Sequence, residues 1–410
     1  MTATRPEPAV RTILADIETL VRCESPSADH DAVARSAEVV AAMGRGLLGA
    51  EPERVVTDGC THLRWRFGEG PPRVLLLGHH DTVWPTGSLL THPFSVRDGV
   101  LRGPGCFDMK AGVVLALHAA AALADPAGLS ILITGDEEIG SPSSRGLIEE
   151  EARGCDAVFV LEASADGGAL KCRRKGVSSY RIEVTGRAAH AGLEPEKGVN
   201  AGVEIAHQLL AAAALANQER GTSVVPTVVS AGTTANTVPA AATVAVDVRA
   251  WDEAEQRRVD LAMRDLRPVL ANATVRVTGG VNRPPLEAGA SSALFDLART
   301  LATELGLGDL TAASVGGASD GNFTAGMGIP TLDGLGAVGG GAHADHEHVV
   351  VAELPRRAAL LAALVENVLA RRGPHGATNA VGDSGAAHAL ARRGPYGPTN
   401  TVGDSGATQR

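Results

Sequence analysis

The chain has 410 residues, of which 44% are hydrophobic but only 3% aromatic, and a formal net charge of −10. That length exceeds one typical domain, so two are expected, with cores built mainly of Ala, Val and Leu. An acidic chain without a basic stripe excludes nucleic acid as a partner, and no apolar run approaches the ~18 residues of a membrane span.

Met1 to Val10 carries no signal-like apolar core. The cysteines Cys23, Cys60, Cys106, Cys155 and Cys172 are odd in number, widely spaced and without a CxxC pair, so neither a disulfide framework nor a thiolate zinc site is favoured. The expectation is a cytoplasmic protein with no membrane partner.

Val10, Ile13, Leu14, Ile17, Leu20 and Val21 share one face of a helix over 8–23, stopped by Ser25-Pro26. A second helix covers 30–46. Apolar strands at 62–68, 73–79, 129–135 and 156–161 then alternate with helices near 110–124 and 142–152. This alternation indicates an α/β layer with a mostly parallel sheet.

The pattern changes near 177. A strand at 177–185, a helix at 198–216, strands at 225–231 and 242–249, a helix at 252–268 and a strand at 273–278 read as a compact α+β insertion. Helices at 291–306 and 353–371 resume the first pattern. Residues 1–177 and 283–371 thus form one domain, split by 178–282. The segment from Leu369 to Ala386 recurs at Leu390 to Ala407, and 372–410 reads as a duplicated, low-complexity, disordered tail.

In open α/β sheets, functional groups gather beyond the carboxyl ends of the strands. His79 ends one apolar strand and Asp81 follows two residues later. Asp108 lies in Cys106 to Gly112, Glu137-Glu138 end another strand, Glu162 ends a third, and His343 sits in a Gly-rich segment. Two divalent cations would bring four positive charges, offset by Asp108, Glu138, Glu162 and a bridging hydroxide, with neutral His79 and His343 completing the shells. Oxygen and imidazole donors without thiolate fit zinc, with cobalt or manganese possible. Adjacent Glu137 and Glu138 diverge at a strand end, so one can hold metal while the other faces the cleft.

Five segments carry a resemblance: Gly78 to Pro85 (GHHDTVWP), Gly105 to Gly112 (GCFDMKAG), Gly135 to Ser141 (GDEEIGS), Gly186 to Asn200 (GRAAHAGLEPEKGVN) and Gly341 to Val349 (GAHADHEHV). They resemble the co-catalytic zinc family of glutamate carboxypeptidases, acetylornithine deacetylase, succinyl-diaminopimelate desuccinylase and aminoacylase. The resemblance implies a zinc-exopeptidase-like three-layer α/β catalytic domain with a mostly parallel sheet, interrupted by a ferredoxin-like α+β lid and dimerisation domain.

Carried over by residue, it implies two zinc ions per subunit. His79 and Glu162 would hold one, Glu138 and His343 the other, with Asp108 bridging. Asp81 would bond the far nitrogen of His79, Glu137 would be the general base, and the Asp108–Met109 peptide would be cis. His190 would reach the scissile carbonyl from the partner of a homodimer. Asn236 and Arg249 would hold a substrate carboxylate, with Arg283 a third candidate that could instead be a surface charge.

His346 and His348 lie close enough to His343 that sequence leaves a ligand swap open. His80 reads as packing beside the metal, Lys110 as support, and Cys106 as a neighbour that does not ligate. Gly316 to Asn322 (GGASDGN) resembles the glutamate carboxypeptidase branch. The implied reaction is amide hydrolysis of a small peptide or N-acyl amino acid, releasing a C-terminal amino acid. N-acyl-amino-acid deacylation, or a silent binding homologue, stands as the alternative.

Overall fold

Within strand Val74–His79, Val74 and Leu76 pack into one apolar cluster while Leu75 and Leu77 pack into another. Ile131 and Ile133 against Leu132, and Phe159 against Val158 and Val160, divide in the same way. A strand buried on both faces needs a helical layer on each side, which is why these runs read as continuously apolar. The computed structural model describes residues 7–371, and the expected tail over 372–410 lies outside the described residues.

One helical layer, Glu7–Arg22, Ala111–Ala121, Ala288–Glu304 and Leu354–Ala370, supplies Ile17, Val114, Leu117, Ala298, Leu361 and Leu364 to the larger cluster. Val40 and Ala41 of His30–Leu48 join it. The opposite layer contributes Ile148 of Arg145–Ala152 and Phe323 of Gly321–Gly326. The result is a three-layer α/β/α arrangement.

The central sheet has six strands in the spatial order 53–57, 60–66, 129–134, 74–79, 157–160 and 331–332. Its last four are parallel, whereas Cys60–Arg66 runs antiparallel to Leu129–Thr134 and forms a hairpin with Glu53–Thr57. The sheet is mostly parallel, as expected. The Glu53–Thr57 edge strand escapes a reading based on apolar runs because its side chains are mostly exposed.

Gly176–Arg283 builds a second, antiparallel sheet in the order 223–231, 241–250, 176–185 and 274–283. Helices Ala201–Ala213 and Glu253–Arg264 pack Ile205, Val259 and Met263 against Tyr180, Ile182, Val244 and Val246. This strand-helix-strand-strand-helix-strand order is the ferredoxin-like pattern. Asn200 caps the first helix by accepting from Gly202 N and Val203 N, so the helix begins later than its apolar pattern suggests.

The last strand extends to Arg283, five residues beyond the expected end, through Gly279 and Gly280. Gly279 has φ +90°, and a Cβ there would meet Ser179 O at 2.1 Å. Only glycine keeps that strand paired. Among the described residues all five cysteines are free, and no helix is long and apolar enough to cross a membrane.

Candidate metal centre

The parallel strands deliver their acids and imidazole to one edge. His79 is the last residue of its strand, Glu137–Ile139 forms a short turn just after Leu129–Thr134, and Glu162 follows Ala157–Val160 by two residues. Asp108 comes from Cys106–Lys110, which precedes helix Ala111–Ala121, and the Asp108–Met109 peptide is cis. His343 arrives from a loop with a left-handed backbone, φ 62°.

These groups face one another. His79 Nε2 lies 3.5 Å from Asp108 Oδ1 and 3.5 Å from Glu162 Oε1. His343 Nε2 lies 3.3 Å from Asp108 Oδ2 and 3.1 Å from Glu138 Oε2. Asp108 thus presents one oxygen to each histidine. Of the three neighbouring histidines, His343 faces the carboxylates, while His348 Nδ1 turns to the main-chain oxygen of His346 at 3.0 Å.

Asp81 is buried, but its role differs in detail from the expectation. His79 Nδ1 is closer to the main-chain oxygen of Asp81, 3.0 Å, than to Oδ1, 3.4 Å. The carboxylate is drawn elsewhere: it accepts from Glu137 N, Glu138 N and Ser27 Oγ at 3.3, 3.2 and 2.6 Å. Asp81 therefore fixes the Glu137-Glu138 turn as well as the His79 ring.

Burial pushes the Glu137 carboxyl well up, against the pull of Arg283, and burial raises Glu138 as well. Burial and Asp108 also oppose ionisation of Glu162, yet Arg174, His79 and Lys171 hold it down to about 2. Burial works to lower His79, but Asp108, Asp81 and Glu162 win and raise it well above the usual imidazole value. Two atoms of the cluster, His79 Nε2 and Glu138 Oε1, are buried without a hydrogen-bond partner. Acceptors crowded on one space with orphaned lone pairs form a donor set that a cation satisfies. Among the described residues, His79, Asp108 and Glu138, and likewise His79, Glu137 and Glu162, each bring ligand atoms within 4.8 Å of one another, a grouping that suits a metal ion.

Arg283 is neither at the surface nor free. It is 7% exposed, and its Nη2 donates to Glu137 Oε1 at 2.9 Å, Asp320 Oδ1 at 2.9 Å and Ser141 Oγ at 2.7 Å. Arg249 is bound by both oxygens of Asp247, at 2.8 and 2.9 Å. His190 and Asn236 are exposed and adjacent in the second sheet's loops, where Ala191 N donates to the main-chain oxygen of Asn236. No hydrogen bond or ion pair among the described residues joins His190, Asn236 or Arg249 to the cluster. His190 Nδ1 accepts from Gly192 N and Leu193 N, both at 3.1 Å, so in the neutral ring it is Nε2 that carries the hydrogen.

The neighbours with quieter expectations also find places. His80 is buried and neutral, pushed by burial to about 4, with Nε2 donating to Thr61 O. Lys110 donates to Cys23 O, and burial holds the Cys106 thiol well up.

Several contributors escape a reading of the sequence. Arg174 bonds Glu162 Oε2 at 3.2 Å and both oxygens of Asp333, with Lys171 Nζ 3.7 Å from the same Glu162 oxygen. Asp320 holds Arg283 and Ser141. Their partners are distant in the chain, and the Gly316–Asn322 pattern is the single local signal near them.

A family model described as peptidase family M20/M25/M40 matches residues 75–367. Carboxypeptidase G2 of Pseudomonas sp. is 32% identical over 380 residues, covering 88% of this chain and 90% of that protein. A succinyl-diaminopimelate desuccinylase of Xanthomonas euvesicatoria is 30% identical over 373 residues, covering 83% and 97%. Among solved structures, aminopeptidase PepT from Bacillus cereus gives a TM-score of 0.69 at 21% identity, covering 88% of this chain and 99% of that one. The M20 family metallo-carboxypeptidase Sso-CP2 from Sulfolobus solfataricus gives 0.65 at 15% identity, covering 88% and 99%. At these identities the structural likeness speaks for the fold.

Proposed function

The chain belongs to peptidase family M20/M25/M40, and from that membership we propose that it is a metal-dependent hydrolase of amide bonds which releases a C-terminal amino acid from a small peptide or N-acyl amino acid. The observation that carries this reading is the convergence of His79, Asp108, Glu138, Glu162 and His343, with Glu137 beside them. The donor set favours two zinc ions per subunit, or cobalt or manganese. Such cations, when bound, supply Lewis acidity to the scissile carbonyl and make water more acidic.

The protein's own groups do the rest. Glu137, held by Arg283, takes a proton from water and later passes it to the leaving amine. Asp81 locks the His79 ring and the Glu137-Glu138 turn. His190, with its hydrogen on Nε2 in the neutral ring, is suited to donate to the developing oxyanion. Because it is tied into the second sheet's loops, we assign it to the partner's site in a homodimer formed through residues 178–282. Asn236 and Arg249 are proposed to grip the substrate carboxylate, the substrate replacing Asp247 on the Arg249 fork. On this reading 1–177 and 283–371 form the catalytic domain, and the enzyme works in the cytoplasm.

The likeness to carboxypeptidase G2 favours release of a C-terminal residue, and the resemblance of Gly316 to Asn322 to the glutamate carboxypeptidase branch favours glutamate as that residue. The likeness to succinyl-diaminopimelate desuccinylase favours a second reading, N-acyl-amino-acid deacylation, with the same residues in the same roles. A released-amine screen over dipeptides and N-acyl amino acids, with metal analysis of the protein, separates the two. Glu137→Ala is expected to keep its metal and lose about 10²–10⁴-fold in rate. A wild type that binds no divalent cation and hydrolyses no amide across that panel would sink the proposal.

A further inference from the structure

Four residues beyond His343, the carboxylate of Glu347 is buried at 3% exposure and does not face the cleft. Its Oε1 accepts from Phe107 N at 2.8 Å and Asp108 N at 3.0 Å. Its Oε2 accepts from Gly105 N at 2.9 Å and Trp84 Nε1 at 2.7 Å. Four donors converge on two oxygens and occupy their acceptor positions, which fixes the side chain in place. Three of the donors are consecutive or near-consecutive amides of the loop that carries Asp108, and the fourth belongs to the loop after His79 and Asp81.

The surroundings make this a fixed clip. Strand His348–Val350 pairs with Val100–Arg102, so Glu347 and Gly103 start from a set register. Gly105 has φ +68°, and a Cβ there would meet Thr82 Cγ2 at 2.3 Å, so the loops touch. Gly341, φ +79°, would bring a Cβ within 2.9 Å of Glu347 N, closing the turn that carries His343. A buried carboxyl group satisfied by four amide or indole donors resists displacement, because moving it leaves those donors unpaired.

We propose that Glu347 is a positioning residue that presets the Asp108 carboxylate between His79 and His343 before any cation arrives, and that Trp84 reports the state of this clip. The inference rests on the proposed metal-dependent reading of the site. Without Glu347, the Asp108 loop would have three unpaired amides and the cations would have to order it at the cost of their own affinity.

The first test needs no variant. In metal-free wild type, hydrogen exchange of a peptide spanning 104–110 is expected to show protected Phe107 and Asp108 amides, changed little by zinc. Free exchange that becomes protected only on adding zinc would overturn the proposal. The second test uses Glu347→Gln, whose amide sets an N–H against the loop donors. Cobalt and zinc titrations, followed by visible absorption and metal analysis, are expected to give 10–100-fold weaker binding than wild type. The same titrations on Trp84→Phe, which keeps the three amide bonds, should give near-wild-type binding, and tryptophan emission should differ between metal-free wild type and metal-free Glu347→Gln while changing little when zinc is added to wild type. Folded Glu347→Gln with wild-type affinity would overturn the clip, whereas a wild type that binds no cation overturns the metal reading itself.

Discussion

Arg283 closes the strand that returns from the second sheet, and its Nη2 sits 2.9 Å from Oε1 of Glu137 on the edge of the first. One guanidinium nitrogen is shared among Glu137, Asp320 and Ser141, so the orientation of Glu137 depends on how the two sheets meet. Arg283→Lys keeps the charge but not the planar fork. We expect kcat to fall about 10²-fold from the misplacement of Glu137, with metal content unchanged. Steady-state kinetics on metal-loaded protein check this, and an unaltered kcat would remove Arg283 from the positioning of Glu137.

Asp81→Asn turns one oxygen that accepts from Glu137 N or Glu138 N into a donor facing a donor. The expected result is a 10–100-fold loss of metal affinity, the range found when groups behind metal-bound histidines are removed. Competition against a chromogenic chelator measures it. Wild-type affinity in a folded Asp81→Asn protein would mean that the main-chain contact to His79 is enough.

Glu204 links pH to the stability of the second sheet. Its buried carboxylate accepts from Leu270 N at 2.6 Å, Val269 N at 3.0 Å and Gln208 Nε2 at 2.7 Å. Burial raises its pKa, but those hydrogen bonds outweigh it and leave the folded value below 4.5. The unfolded chain then binds the extra proton, so the stabilisation is complete above pH 4.5 and lost as pH falls through the folded value. Glu204→Gln should lower stability at pH 7 by about 1–3 kcal/mol and flatten the melting temperature against pH below 5. Parallel wild-type and variant curves in calorimetry would contradict this.

Gly112 opens helix Ala111–Ala121 where it passes the end of the Glu162 strand, and a Cβ there would meet Leu161 O at 2.1 Å. Met109 Cε at 3.1 Å could swing aside, but the main-chain oxygen of Leu161 could not. Gly112→Ala should therefore cost about 1–3 kcal/mol from overpacking and displace Glu162 enough to weaken metal binding. Denaturant unfolding and metal titration of the same sample test both halves. A variant as stable as wild type would show that the helix can slide.

The strand ends were legible because an apolar run that stops at His, Glu-Glu or Glu has few other readings in an α/β layer. Where His343 and His348 point was not, since that turns on a left-handed backbone at His343 and on the His348 ring facing a carbonyl. Arg174 and Asp333 carry no local signature, and Asp320 and Glu347 lie inside recognisable segments, Gly316–Asn322 and Gly341–Val349, without being singled out there. Each acts through a partner brought close only by the sheet topology, as Arg174 does with Asp333. Arg283 was visible as a charge beside Pro284-Pro285, yet its partner Glu137 lies on the far side of the whole second sheet in sequence.

The connectivity also sets an order on synthesis. Among the described residues, strand Ala157–Val160 is paired on its outer edge by Thr331–Leu332 alone, which leaves the ribosome after the entire Gly176–Arg283 segment. Until then the nascent chain displays an unpaired apolar strand edge, the kind of surface that recruits other chains. His343 and Glu347 emerge later still. On the proposed reading of the site, a chain made only this far lacks His343 and Glu347, so the proposed donor set is complete only once the segment that closes the sheet has been followed by both.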